Sequence, residues 1–398
     1  MNRRAFLSQT ASALAFAVTR TMTAAVPLGA ASVSLAAPSA PPDYRRLLIL
    51  VELKGGNDGL NTVVPYADAN YYALRPRLAI ARDNVVQLSD AVGLHPALQS
   101  LRPMWKASEL AVLQGVGYPA PNLSHFRSIE IWDTASRSDQ YLDRGWLTRT
   151  FAIAPAPSSF AADGAIVGSN DLGPLAGSGA RAIAVASTNR FIQRARLARN
   201  EAAQGNAALE HILRTEAEIV QAATHLGAPH AFATPFPASP FGNAVRTACE
   251  VIANPAGIAC VRLTLNGFDT HVNQLPIQAR LLGDLADGLV ALKDALVELD
   301  RWNDTLVVTY AEFGRRPREN QSAGTDHGTA NAHFALGGRV AGGLYGAMPN
   351  LAQLGSDGNP AHAIDFRSVY ATVLDHWWGI SSRSVLGSGY STIPLLRA

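Results

Sequence analysis

Apolar residues in this chain fall into short runs of strand length, separated by longer stretches with helical spacing. The runs lie at 47–53, 110–113, 182–186, 258–265, 305–310 and 334–336. Leu281, Leu285, Leu289, Leu292, Leu296 and Leu299 recur at intervals of three and four, which places them on one face of a helix with Asp284, Asp287, Lys293 and Asp294 turned elsewhere. That stripe reads as core. The next run begins within a few residues of it, in the order of a right-handed βαβ crossover. The alternation predicts an α/β fold, a doubly wound and mostly parallel sheet with helices on both faces.

Proline- and alanine-rich stretches at 151–162 and 228–241 bracket a charged segment at about 190–226, which reads as a small helical cap inserted over the sheet edge. Its Arg and Glu residues read as solvated faces. The first residues, MNRRAFL, lead into an alanine-rich stretch at 11–37 without acidic residues, the pattern of a twin-arginine export signal over 1–37 with Arg3, Arg4, Phe6 and Leu7 as its receptor-read part. Thr19, Arg20 and Thr21 interrupt the apolar run, so it falls short of the ~18 consecutive apolar residues of a spanning helix. Cleavage is expected near 34–37, leaving one α/β domain over 42–398. The expected address is periplasmic or secreted, with the twin-arginine export machinery as a partner and no stable membrane insertion after cleavage.

Charge narrows the partners. There are 33 Lys and Arg against 31 Asp and Glu, a formal net charge of +2, and no basic run follows the signal, so neither nucleic acid nor an anionic membrane surface is indicated. The two cysteines, Cys249 and Cys260, form neither a CxxC motif nor a zinc-ligand spacing; a disulfide and two buried thiols both remain open.

Candidate chemistry sits on glycine-flanked loops after the strand-like runs: GGNDG at 55–59, GFDTH at 267–271 and GTDHG at 324–328. Open α/β sheets gather functional side chains at the carboxyl ends of their strands. Asp58 fits either a metal ligand or a helix cap. Asp269 and His271, one residue apart, point the same way on extended backbone and can meet one ion; Asp326 and His327 supply a second carboxylate and imidazole. Ser124, beside His125 in a polar loop, fits a metal-activated nucleophile or a helix N-cap, and no GxSxG elbow surrounds it. Glu312 ends the run at 305–310, and Arg315 or Arg316 behind it offers a guanidinium to an anionic group. His333 and His362 are further candidate ligands. Residues 375–378 read as a helix end with aromatic packing.

The motifs GGNDGLNTVVP at 55–65, LSHF at 123–126, FDTH at 268–271, EFGR at 312–315 and GTDHG at 324–328, behind a twin-arginine signal, resemble the bacterial family catalogued as domain of unknown function 1501, which looks like a branch of the alkaline phosphatase and sulfatase superfamily. The resemblance implies a metal site at the carboxyl ends of the strands and one or two divalent ions, zinc, calcium, magnesium or manganese. It implies a serine nucleophile, Ser124, attacking a phosphate or sulfate ester carried by a small molecule or a polymer. Asp269 with His271 resembles one metal's ligand pair, and Asp326 with His327 and Asp58 the other's. The sequence departs from that superfamily in its close Asp-x-His spacing, in having no motif around a further histidine, and in lacking a CxPxR signature. The function expected is a metal-dependent hydrolase of phosphate or sulfate esters with Arg315 stabilising the transferred group; the alternative is a non-catalytic exported structural or assembly protein that keeps the fold and a structural metal. A metal-independent serine esterase is disfavoured by the missing elbow.

Overall fold

The computed structural model describes residues 41–187 and 230–397. The signal segment at 1–37 and the cap expected at 190–226 lie outside the described residues.

Fourteen strands are described: β1 Leu47–Lys54, β2 Val63–Val64, β3 Val86–Gln87, β4 Gly93–Leu94, β5 Leu110–Gly117, β6 Ala162–Val167, β7 Ala182–Val185, β8 Ile258–Asn266, β9 Thr305–Tyr310, β10 Gly314–Arg315, β11 His327–Gly328, β12 Asn331–Leu336, β13 Gly343–Gly346 and β14 Ile364–Asp365. Nine of them form one sheet in the order β13-β5-β12-β9-β1-β8-β6-β7, with β14 also on β5. Every pairing is parallel except the two made by β12, which runs antiparallel to β5 and β9. The mostly parallel α/β sheet is therefore as the hydrophobic pattern predicts.

Strand β1 shows why both faces are covered. Leu47, Ile49, Val51 and Leu53 pack into one core with the helices Pro240–Ile252 and Gln274–Glu298, whereas Leu48 and Leu50 face a second core built on Trp132, Trp146, Trp377 and Trp378. Alternate residues of a strand point to opposite faces, so a run that is apolar throughout marks a strand buried on both sides. The leucine stripe from Leu281 to Leu296 is buried on the Gln274–Glu298 helix, and each such side chain contributes roughly 1.5–3 kcal/mol on full burial.

Cys249 and Cys260 are free thiols on opposite sides of the sheet, one in each core, so the sheet itself keeps them apart. Residues 375–378 lie in the Val373–Trp378 helical turn with Trp377 and Trp378 buried. Among the described residues no helix is long and apolar enough to cross a membrane.

Within the nine-stranded sheet, three strands escape the sequence pattern. β6 reads ADGAIV, interrupted by Asp163 and Gly164, and begins at the last residue of the proline- and alanine-rich stretch 151–162. Asp163 is tied to Arg181 at 2.6 Å, and Gly164 leaves room for Leu175 and the Cys260 thiol. β13 and β14 are four and two residues long, too short to carry a periodic signal.

Candidate metal centre

Strands β1, β8 and β9 run side by side in the same direction and end together at Lys54, Asn266 and Tyr310. The loops that follow converge because glycine lets backbone touch backbone. A Cβ on Gly55 would stand 2.4 Å from the Asp269 nitrogen, and one on Gly324 would stand 2.2 Å from the His271 carbonyl carbon. The GTDHG segment does not follow β9 directly. It returns to the sheet edge through the antiparallel pair β10 and β11, which sets His327 opposite Arg315.

Four side chains meet there. His271 Nε2 lies 3.0 Å and His327 Nε2 3.3 Å from Asp269 Oδ1, and the two nitrogens are 3.1 Å apart. His125 Nε2 lies 3.5 Å from Asp269 Oδ2. His125, Asp269 and His327 each present a ligand atom within 4.8 Å of the others. Ligands about 2.0–2.1 Å from a tetrahedral zinc ion stand roughly 3.3 Å apart, so these separations fit the edges of such a donor set.

The other ring nitrogens decide the tautomers. His125 Nδ1 is 2.9 Å from Glu312 Oε1, His271 Nδ1 is 3.3 Å from Asp326 Oδ1, and His327 Nδ1 is 2.7 Å from the Leu123 carbonyl. Each partner is an acceptor, so in the neutral form of a ring its Nδ1 carries the proton and its Nε2 presents the lone pair toward Asp269. This is the outer arrangement that orients metal-binding histidines. Phe313 packs against both His125 and His327, with ring centroids 4.9 and 4.4 Å away. The open side faces solvent, since Asp269 and Asp326 are exposed.

The charges suit a cation. Burial raises the Asp269 carboxyl, but the hydrogen bond and charge of Arg315 outweigh it, with His271 and His125 adding to them, and hold it at about 2. Burial lowers His327 against the opposing pull of the Leu123 carbonyl, which favours the neutral ring. The hydrogen bond to Glu312 raises His125, and Glu312 is itself fixed by the Gly55 N–H at 3.0 Å.

Several expected roles change. Asp58 is fully buried and away from the cluster: Oδ1 accepts from the Leu60 and Asn61 N–H groups, and Oδ2 pairs with Arg75 at 2.6 Å and accepts from Gln274. It is a helix cap and a buried ion-pair partner, with no lone pair facing the histidines. Arg315 is also buried, and all of its nitrogens are committed: Nε to Gly56, Nη1 to Thr325, and Nη2 to Gly55, Phe268 and Asp269. It stitches the three loops together, with each of its three nitrogens already bound to them. Asp326 acts on His271 instead of completing a second donor set with Asp58. His333 is sealed in the core against Trp132, and His362 lies outside the donor set.

Ser124 is exposed at the N-cap position of the His125–Thr134 helix, yet its hydroxyl makes no capping bond; its N–H donates to Asn122 Oδ1 at 2.9 Å. Arg316 keeps a buried Nε without a partner, and its charge acts on both Asp326 and Asp357. His125 is the residue that sequence reasoning passes over as a ligand. The signal available is LSHF itself, a histidine at the first position of a helix after a core strand.

A family model described as "Protein of unknown function (DUF1501)" matches residues 45–387. Among curated proteins no match is found. Solved structures similar to this chain include the C-terminal periplasmic domain of EptC from Escherichia coli in complex with zinc, at 12% identity over 75% of this chain and 73% of that chain, with a TM-score of 0.35. Lipoteichoic acid synthase LtaP from Listeria monocytogenes is 12% identical over 75% and 69%, with a TM-score of 0.31. Ps i-CgsB in complex with a neocarrahexaose is 10% identical over 86% and 72%, with a TM-score of 0.33.

Proposed function

The chain belongs to the DUF1501 family of proteins of unknown function, and from its own side chains we propose that it is an exported, metal-dependent hydrolase of phosphate or sulfate esters. The observation that carries this reading is the convergence of three imidazole Nε2 atoms on Asp269, each ring held by an acceptor at its Nδ1. Three imidazole nitrogens and a carboxylate directed at one point make a donor set of the kind a divalent cation would complete.

His125, Asp269, His271 and His327 would hold the ion, with Glu312, Asp326 and the Leu123 carbonyl fixing the rings. When bound, a divalent ion supplies Lewis-acid polarisation of an ester oxygen and lowers the pKa of a nearby hydroxyl. Ser124 is the nucleophile in this reading: its hydroxyl is exposed, unbonded and one residue from His125. Its oxygen would attack phosphorus or sulfur while the bond to the ester oxygen breaks, the proton lost by the hydroxyl passing to the departing alcohol, and water would later hydrolyse the Ser124 ester to release the acid and restore the hydroxyl. Arg316, in place of Arg315, is the guanidinium this reading assigns to the equatorial oxygens.

One observation favours the non-catalytic alternative: Arg315, the expected anion binder, is locked in backbone carbonyls, as it would be in a scaffold that keeps only a structural metal. Turnover separates the two. Purified protein would be assayed with p-nitrophenyl phosphate, bis(p-nitrophenyl) phosphate and p-nitrophenyl sulfate beside Ser124→Ala, with metal content measured by mass spectrometry in both and in Asp269→Ala. Hydrolysis lost in Ser124→Ala with metal retained supports the reading. Unchanged turnover removes Ser124 from the mechanism, and a wild type that binds no divalent metal sinks the proposal.

A further inference from the structure

Beside the ligand-bearing loops lies a cavity of about 510 Å3. One wall is the stretch from Tyr118 to Pro121, which runs directly into Asn122, Ser124 and His125; another is Thr329, two residues beyond His327. The remaining wall comes from 353–362, where the His362 Cβ sits close enough to Gly117 that a Cβ there would meet it at 2.9 Å. The cavity and the candidate metal centre thus share two chain segments, that leading to His125 and that following His327.

Its polar groups are unsatisfied in a particular way. Asn359 is 4% exposed and lines the cavity. Asp357 grips it twice, accepting from its backbone N–H and its Nδ2 at 3.0 Å each, yet its Oδ1 has no partner. That leaves an amide oxygen with unmet hydrogen-bonding capacity beside the cavity. Half-buried His362 likewise makes no hydrogen bond among the described residues. Gln353 adds a further amide, while Pro119, Pro121 and Pro360 give rigid apolar walls. Groups that both donate and accept, set between apolar faces, match hydroxyls on a ring. Among the described residues no lysine or arginine lines the cavity, and Asp357, the one carboxylate among them there, opposes an anion.

We infer that this cavity is a subsite for a neutral, hydroxyl-rich group, a glycosyl unit in chemical class, that the substrate carries beside its anionic ester. The inference rests on the reading of the metal centre as the ester site. The ester anion faces the metal ligands and Arg316, and the sugar ring hydrogen-bonds Asn359, Asp357 and His362.

The test is ligand-observed saturation-transfer NMR on the full-length protein with methyl β-glucopyranoside, methyl β-galactopyranoside and N-acetylglucosamine, with glucuronate as the anionic comparison. At least one neutral glycoside is expected to receive saturation that falls five-fold or more in Asn359→Leu and in Asp357→Asn, with metal content unchanged. Gln353→Ala, on the exposed wall, serves where Asn359→Leu does not fold and is expected to weaken binding two-fold or more. No transfer from any neutral glycoside, equal transfer to glucuronate, or signals unchanged across the variants would each overturn the subsite. Because the cavity contains no metal ligand, glycoside binding is expected to persist in chelator; binding that persists in a wild type shown to be metal-free would leave the subsite standing and remove the hydrolase reading alone.

Discussion

At the scale of single residues the centre depends on what lies behind the ligands. Glu312 accepts from His125 and from the Gly55 N–H, so one carboxylate sets both the ring tautomer and the loop that carries Arg315's carbonyl partners. Glu312→Gln keeps the shape and offers His125 Nδ1 either an amide oxygen or a competing N–H. The expected result is a 10- to 100-fold weaker metal affinity, the range found for such outer partners, with the fold intact. Competition against a fluorescent chelator measures it, and an unchanged affinity removes Glu312 from the centre. His333 makes the opposite case. Both its nitrogens are buried without partners, and burial lowers it to about 3. Its folded value lies below the unfolded 6.5, so the unfolded chain takes the proton first and stability is complete above 6.5 and falls as pH drops toward 3. His333→Leu removes the unsatisfied nitrogens and is expected to stabilise by about 1–2 kcal/mol at pH 7 and by more at pH 5. Urea titration at the two pH values reads this; a gap that does not widen at pH 5 excludes His333 as a source of acid sensitivity.

At the scale of elements, the sheet's central strands were legible because they are apolar on both faces: β1, β8 and β9 appear in the sequence almost to the residue. The leucine stripe gave the Gln274–Glu298 helix for the same reason. β6 was hidden because its face positions are Ala and Gly, chosen by the space left beside Leu175 and Cys260, which only the packed structure reveals. The site was half legible. Asp269, His271 and His327 announce themselves by glycine-flanked loops, whereas the demotion of Asp58 depends on Arg75 and Gln274, partners 17 and 216 residues away. The same long-range logic governs the buried pair between neighbouring strands β1 and β8. Arg262 holds Glu52 at 2.7 Å and donates to the Tyr310 hydroxyl at 2.8 Å, all three nearly fully buried. Burial raises Glu52 against Arg262's opposing charge. Arg262→Met strands that carboxylate and is expected to cost about 3–5 kcal/mol, whereas Arg262→Met with Glu52→Leu is expected to recover most of it. Chemical denaturation of the single and double variants decides this, and a double variant no better than the single one would falsify the stranded-charge account.

At the scale of the whole molecule, the centre draws on segments far apart in the chain. His125 begins the helix after β5, Asp269 and His271 follow β8, and His327 returns through β10 and β11. An ion held by all of them joins the central strands to the β5 side of the sheet across β12, and only the native state assembles that donor set. Mass action then makes the metal a fold stabiliser, worth about 2.7 kcal/mol at free metal one hundred times its Kd. Chelation is accordingly expected to lower the melting temperature by a few degrees, and re-addition of metal to restore it. Asp269→Ala should melt at one temperature with or without chelator, because the carboxylate on which all three imidazoles converge is gone. Asp58→Asn separates this from general weakening: it loosens the cap and the Arg75 pair, lowers the melting temperature in both conditions, and leaves the chelator response in place. A chelator response lost equally in Asp58→Asn would return Asp58 to the ligand set, and one retained in Asp269→Ala would place the ion elsewhere in the molecule.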